Sequence, residues 1–212
     1  LMMQQRTKMN ASAGELLVPD LFSLNNGINK PTVTSELIRR KMNSLYGSLQ
    51  LNWDGYLFLD VTARNDWSST MSKDNRSYFY PSVSLSGVIS DMLPKIGGNM
   101  PEWFTFAKVR ASYAEVGNDL DPYQLYNNYT VGKDENGNTT AAPGQILFDS
   151  SVRSELIKSW EAGLDVRFLQ NRLGLDFAWY KTNATRQLLN LPLDPFAGYS
   201  SRKVNAGNIQ NE

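Results

Sequence analysis

The run Arg64-Asn65-Asp66-Trp67 sets two opposite charges, an amide and an indole side by side. Such a set can hydrogen-bond a ligand or a partner surface. The reading we favour is a structural knot, its charges pairing with each other while Trp67 anchors at an interface. A second set, Lys108, Arg110, Glu161, Asp165, Arg167 and Asp176, places both signs at alternating positions. Residues so spaced line a path for a polar solute, or pair off as a solvated ladder of mixed charge. Neither set is catalytic. The chain has no histidine and no cysteine, which removes Ser-His and cysteine nucleophiles, His-metal centres and disulfides together. Asp134-Glu135-Asn136-Gly137-Asn138 faintly suggests a calcium loop, but its glycine is misplaced and Gln145 stands where a bidentate Glu is needed. We read it as a polar loop tip, and assign no catalytic, cofactor-binding or metal residue.

Composition narrows the setting. There are 21 basic and 21 acidic residues, and zero net charge argues against a nucleic-acid partner, which recruits an excess of Lys and Arg. No apolar run approaches the ~20 residues of a spanning helix. A soluble protein fits these properties, and so does a membrane β-barrel, where only alternate residues face lipid. Leu1–Arg6 lacks the apolar core of a signal peptide, and Gln210-Asn211-Glu212 falls inside a strand-like pattern. The expectation is a portion of a longer protein, its targeting segment elsewhere.

The elements that would position these residues are strands. Over Ser159–Phe168 one face carries Trp160, Ala162, Leu164, Val166 and Phe168, the other Glu161, Gly163, Asp165 and Arg167. After a turn, Leu173, Leu175, Phe177 and Trp179 oppose Gly174, Asp176 and Tyr180. A helix would scatter these residues, whereas a strand sorts them. The apolar parity switches across the turn, so the loop is even: Gln170-Asn171, or Leu169–Arg172. Phe168 then faces Leu173, Val166 faces Leu175, and Asp165 faces Asp176, which is unfavourable unless Arg167, diagonal to it, or water screens the pair. A second hairpin over Lys41–Asp66 keeps its parity, which requires an odd loop. Trp53-Asp54-Gly55 fits, with Gly55 left-handed.

Further strands are expected at Ser77–Ser90, with a bulge or unpaired stretch at Pro81, and at Phe106–Val116. Weaker candidates are the first thirteen residues and Arg202–Glu212. Connections come out short after Asn52 and Phe168. They come out long at Gly14–Arg40, Trp67–Arg76, Asp119–Lys158 and Lys181–Lys203, with Met92–Trp103 as an exception on the short side. Trp53, Tyr56, Trp67, Tyr78, Phe79, Tyr80, Trp179 and Tyr180 cluster at strand ends, as an interfacial belt does. Two architectures remain open on pattern alone: an outer-membrane barrel, and a soluble β-sandwich serving as a carbohydrate-binding or adhesin module.

Five segments resemble the SusC/RagA-type TonB-linked outer-membrane proteins of Bacteroidota. They are Arg64–Thr70 (RNDWSST), Ser77–Ser84 (SYFYPSVS), Lys108–Tyr113 leading to Val116-Gly117-Asn118-Asp119, Ser159–Asp165 (SWEAGLD) with Asn171–Leu175, and Val204–Ile209 (VNAGNI). The resemblance implies an all-β, antiparallel transmembrane barrel with long extracellular loops and short periplasmic turns. About eight of its 22 strands would lie here. Residues 1–212 would then be a portion of the barrel domain, with the N-terminal plug and signal peptide outside them. It further implies residence in the outer membrane and TonB-driven import of glycans or oligopeptides, with no cofactor. The implied partners are a SusD-like surface lipoprotein, TonB acting through the plug, the remainder of the barrel and outer-membrane lipid. Arg64, Asn65, Asp66, Trp67, Asn118 and Asp119 would be the cargo- or partner-facing loop residues. Lys108, Arg110, Glu161, Asp165, Arg167 and Asp176 would face the lumen.

Overall fold

The computed structural model describes residues 1–212, the side chain of Pro195 excepted. Eleven strands form: β1 (Met2–Ser12), β2 (Thr32–Trp53), β3 (Leu57–Ser68), β4 (Ser77–Val88), β5 (Phe104–Asn118), β6 (Tyr129–Lys133), β7 (Thr139–Pro143), β8 (Ile146–Leu147), β9 (Glu155–Phe168), β10 (Leu173–Pro192) and β11 (Ser201–Asn211). One sheet runs β1-β2-β3-β4-β5-β9-β10-β11-β8, and β6-β7 is a separate hairpin. Eight long strands therefore pair antiparallel in an up-and-down order, with the two-residue β8 added parallel to β11.

The registers follow the hydrophobic pattern. Between β9 and β10, Phe168 faces Leu173, Val166 faces Leu175, Leu164 faces Phe177 and Ala162 faces Trp179. The intervening turn leaves Leu169–Arg172 outside the ladder. The Arg172 N–H donates to the Leu169 carbonyl at 3.2 Å. Gln170 (φ 56°) and Asn171 (φ 66°) at its centre are both left-handed, as a type I′ turn demands. Leu169 is left-handed too, at φ 53°. Asn tolerates this region and Gln does not. Gln170→Gly is therefore expected to stabilise the hairpin by about 0.5–1 kcal/mol, read as a higher unfolding midpoint.

The β2–β3 loop has the expected odd length but lies one residue further on, at Asp54–Tyr56, because Trp53 pairs with Leu57. Asp54 (φ 49°) and Gly55 (φ 76°) are the left-handed pair, and the Asn52 side chain accepts from Gly55 N at 3.0 Å. Shifting the register by two keeps every side chain on its face. Pro81 stays in register with Ala63 of β3, while the ladder to β5 begins only at Ser82. Ser77–Pro81 is thus paired on one side only, where proline is tolerated.

Three expected loops prove shorter. Thr32–Arg40 belongs to β2 and pairs with Gln4–Ser12 of β1. Lys181–Pro192 continues β10, and from Thr182 on it pairs with β11. The loop between β5 and β9 carries β6, β7 and β8. The exceptional short-side connection contains a helix, α1 (Ile89–Lys95). It is tacked to both neighbouring turns: Lys95 Nζ sits 2.8 Å from Asp54 Oδ2, and the Trp103 carbonyl accepts from Leu169 N at 2.8 Å.

Among the described residues no second sheet covers the apolar face of the long strands, and only its short-turn end, at Ala107 (4% exposed) and Val166 (8%), is buried. Leu45, Leu49, Leu85, Val109, Leu164, Leu175 and Phe177 stand between 37% and 68% exposed. The buried apolar cluster is elsewhere, among the loops: Met71, Leu120 and Val152, with Leu125 and Leu188 against them. A sandwich would bury the apolar face in a dry core, and this sheet does not. From Trp160 to Phe168 the apolar face of β9 extends about 27 Å along the strand, or about 21 Å after a tilt of ~40°, near the ~25 Å band of membrane barrels. Immediately beyond it on the same face Lys158 meets Glu115 at 3.5 Å, while Tyr113 and Trp160 pack ring to ring at 4.3 Å on the band's edge.

Candidate functional site

Both sets of polar residues lie on or next to this sheet, at different heights. The first is at the loop-side end of β3, where Arg64, Asp66, Ser68 and Thr70 follow one another on the polar face. Asp66 is 2% exposed. It accepts from Arg64 Nε at 2.9 Å and from the Tyr80 hydroxyl. Arg64 also reaches Ser44 Oγ at 3.2 Å and lies over the Tyr80 ring. Asp119, 8% exposed, closes a second cluster. One carboxylate oxygen pairs with Arg40. The other accepts from Ser68 and from Thr70 Oγ1 at 2.8 Å. Every lone-pair direction used here replaces a hydrogen bond to water, which a buried carboxylate requires.

The remaining candidates in this region point elsewhere. Asn65 and Trp67 occupy the opposite, apolar face, Trp67 at 38% exposure, and Asn65 Nδ2 donates to Ser77 Oγ at 3.0 Å. Asn118 Nδ2 donates to Glu155 Oε2 at 3.1 Å. Tyr78 and Tyr80 also leave the expected belt. They stack on the polar face at 5.9 Å, and Tyr78 lies so close over Gly117 that a Cβ there would meet its ring at 2.8 Å. The Arg64–Asp66 pairing is the one the structural-knot reading anticipated, whereas the other partners of the two carboxylates went unassigned by sequence reasoning. Ser68 and Thr70 had a signal, the even-numbered alternation continuing from Arg64 and Asp66. Arg40 had none, since it fell in an expected loop.

The second set does converge. Lys108, Arg110, Glu161, Asp165, Arg167 and Asp176 share the polar face of β5, β9 and β10. Arg110 bridges two carboxylates, Glu161 at 3.3 Å and Asp176 at 3.6 Å. Arg167 holds Asp165 at 3.4 Å, and Lys108 sits opposite Asp165 in the β5–β9 register. The like-charge pair Asp165–Asp176 is thereby flanked by three cations. Arg110 can reach β10 because it lies flat across Gly163: a Cβ on that glycine would stand 2.4 Å from Arg110 Nε. Gly163→Ala is expected to displace Arg110 and cost about 1 kcal/mol, the magnitude of half-exposed charge pairs. Arg110→Ala should cost about the same, and the double variant no more than either, as a double-mutant cycle would read it.

The loops above are tied down by polar contacts. Asp149 accepts from the Ser151 side chain and backbone N–H and from Arg202, and these bonds hold its carboxyl down to about 2. A carboxylate so depressed keeps its contacts as pH falls, losing them only as pH passes through about 2. Asp134 binds the N–H groups of Asn136 (3.0 Å) and Asn138 (2.8 Å). That makes 134–138 the tip of the β6–β7 hairpin.

Residues 10–212 match the family described as TonB dependent receptor-like, beta-barrel. The chain belongs to that family. This TonB-dependent receptor barrel is 29% identical over 188 residues to TonB-dependent receptor P3 of Formosa agariphila, a match covering 84% of this chain and 18% of that protein. It is 25% identical over 199 residues to TonB-dependent receptor SusC of Bacteroides thetaiotaomicron, covering 84% and 18%. Its fold superposes on a chain of the RagAB peptide transporter with a TM-score of 0.78 at 19% identity, over 91% of this chain and 21% of that one. The siderophore receptor PirA of Pseudomonas aeruginosa is a more distant fold match, with a TM-score of 0.53 at 16% identity. The chain spans about a fifth of the length of the relatives it matches. It is a SusC/RagA-like barrel segment, and its place is the Gram-negative outer membrane.

Proposed function

We propose that this chain is wall of a TonB-dependent importer of glycans or oligopeptides, working beneath a SusD-like surface lipoprotein. The observation that carries the proposal is the contrast between the two faces of one sheet. An uncovered apolar face suits lipid, and a face bearing Lys108, Arg110, Glu161, Asp165, Arg167 and Asp176 suits a hydrated lumen. The resemblance to SusC/RagA-type proteins, with a 25% identical relative named SusC, is what puts glycans first as the cargo class. The fold match to a peptide transporter keeps oligopeptides as the second cargo class. Coupling to TonB would run through a plug domain, and further strands of the same barrel would take the free edge of β1 and the edge of β11 beyond its short pairing with β8. The loop-end residues Arg64, Asp66 and Asp119 serve in this scheme by fixing the rim on which a lid rests, with Asn65, Trp67 and Asn118 beside them. The test is uptake of fluorescent oligosaccharides by cells carrying or lacking the intact gene. Uptake that needs the gene, falls with a protonophore and is accompanied by co-purification of a surface lipoprotein is expected. Uptake unchanged by deletion across glycan and peptide panels would overturn the proposal.

A further inference from the structure

Above Ser82 and Ala114 the β4–β5 ladder stops, and the two strands part around an open cleft of about 570 Å³. Tyr78, Phe79 and Tyr80 line it, with Lys158, Arg153 and Arg186. The two arginines are exposed, and among the described residues neither has a carboxylate within ion-pairing distance. Of the three carboxylates at the cleft, two are engaged. Glu115 takes the Tyr113 hydroxyl and Lys158, and Glu155 accepts from Asn118 and from Leu188 N. Asp74 is left against two free guanidinium groups.

The arginines are brought together by one side chain. Asn205 Oδ1 accepts from Arg153 N at 2.6 Å, and its Nδ2 donates to the carbonyls of Arg153 and Arg186, both at 2.8 Å. Arg186 is moreover held left-handed at φ 56° inside β10, across from Gly207 at φ 83°. That conformation is unfavourable for any residue with a Cβ, and a strand keeps it only where surrounding contacts impose it. Glycine would fit there without strain, so arginine at 186 is not explained by the backbone.

We propose that Arg153 and Arg186 form an oxyanion-recognising pair in a rim subsite for an acidic saccharide, with Asn205 as the positioning residue. A guanidinium fork matches the two oxygens of a carboxylate or sulfate, and the aromatic side chains beside it offer flat apolar surface to a sugar ring. Two sources share this chemistry: an acidic glycan taken as cargo, and the acidic saccharide of an outer-leaflet glycolipid. The cargo source rests on the import proposal, whereas binding itself does not.

The experiment uses the intact receptor purified in detergent. Binding of a sulfated oligosaccharide, its desulfated counterpart, a Glu-rich peptide and an acidic glycolipid in mixed micelles is measured by fluorescence polarisation. Arg153→Ala and Arg186→Gly are each expected to weaken the acidic saccharide about tenfold or more and leave the desulfated one unchanged. Arg186→Gly removes the strained conformation, so its unfolding midpoint should not fall, and lost binding cannot be blamed on lost fold. Asn205→Ala should weaken the same ligand and be additive with neither arginine. Preference for the soluble sugar or for the micellar glycolipid identifies the source. Equal affinity for sulfated and desulfated sugars, Arg-independent binding, or preference for the peptide overturns the proposal. Arginine-dependent binding without uptake would leave the subsite standing and count against import alone.

Discussion

Asp119→Ala is expected to destabilise the folded barrel by about 3 kcal/mol. Removing one member of a buried ion pair typically costs 3–5 kcal/mol, because the partner charge is stranded. The low end applies here, since the Arg40 side chain is 29% exposed and water can reach it. The substitution also strips acceptors from Ser68 and Thr70, both below 4% exposure, while Leu120 in the loop cluster is its immediate neighbour. The damage should therefore be local as well as global. Denaturant unfolding in vesicles should show the lower midpoint, and limited proteolysis should show faster cleavage within 120–154. Asp119→Asn keeps an acceptor and should lose roughly half as much. An unfolding midpoint for Asp119→Ala matching the parent would show that the carboxylate does not pin this loop.

Leu164→Arg should cost about 2–4 kcal/mol in a bilayer, the penalty for a guanidinium near the middle of a lipid-facing strand. Leu164 lies midway along the apolar face of β9, flanked by Val109 and Phe177. In water the same change would be nearly silent, since the side chain is already 37% exposed. Ser84→Arg makes the opposite comparison: it enters the polar face opposite Asp60 and Ser112 and should stay within about 0.5 kcal/mol. Refolding into lipid vesicles, read by heat-modifiable gel mobility, separates the two. Equal behaviour of both variants would mean that the apolar face does not meet lipid.

What was legible in the sequence tracks the depth of the lipid. Where one face must be apolar, as in Ser159–Phe168 and Leu173–Trp179, alternation gave strand, face and register to the residue. Thr32–Arg40 and Lys181–Pro192 are just as much strand, yet their pattern is silent. They project past the band, both faces are wet, and no physical demand sorts their side chains. Turn parity survived even where the turn itself was misplaced by one residue, because a shift of two leaves every face unchanged. The charged ladder on β5, β9 and β10 was readable for the same reason as its strands. The Asp66 and Asp119 clusters were half readable: Arg64, Asp66, Ser68 and Thr70 continue one alternation, but Arg40 and Tyr80 arrive from other strands by long-range pairing that no local pattern encodes.

The up-and-down strand order has a consequence for how the wall is assembled. Each long strand lies beside its neighbour in sequence, so most pairings close a short loop and can zip as soon as both strands exist. The junction of β5 with β9 differs, because residues 119–154 intervene where β2 and β3 are separated by three, 54–56. On polymer grounds the longer closure costs about 2 kcal/mol more. Fourteen residue pairs, Phe104–Phe168 through Asn118–Glu155, are recovered once it forms. The wall should therefore assemble as two sub-sheets, β1–β5 and β9–β11, whose docking is the slow and last event. Slowing it by lengthening 119–154 would accumulate a half-built intermediate split along that single seam.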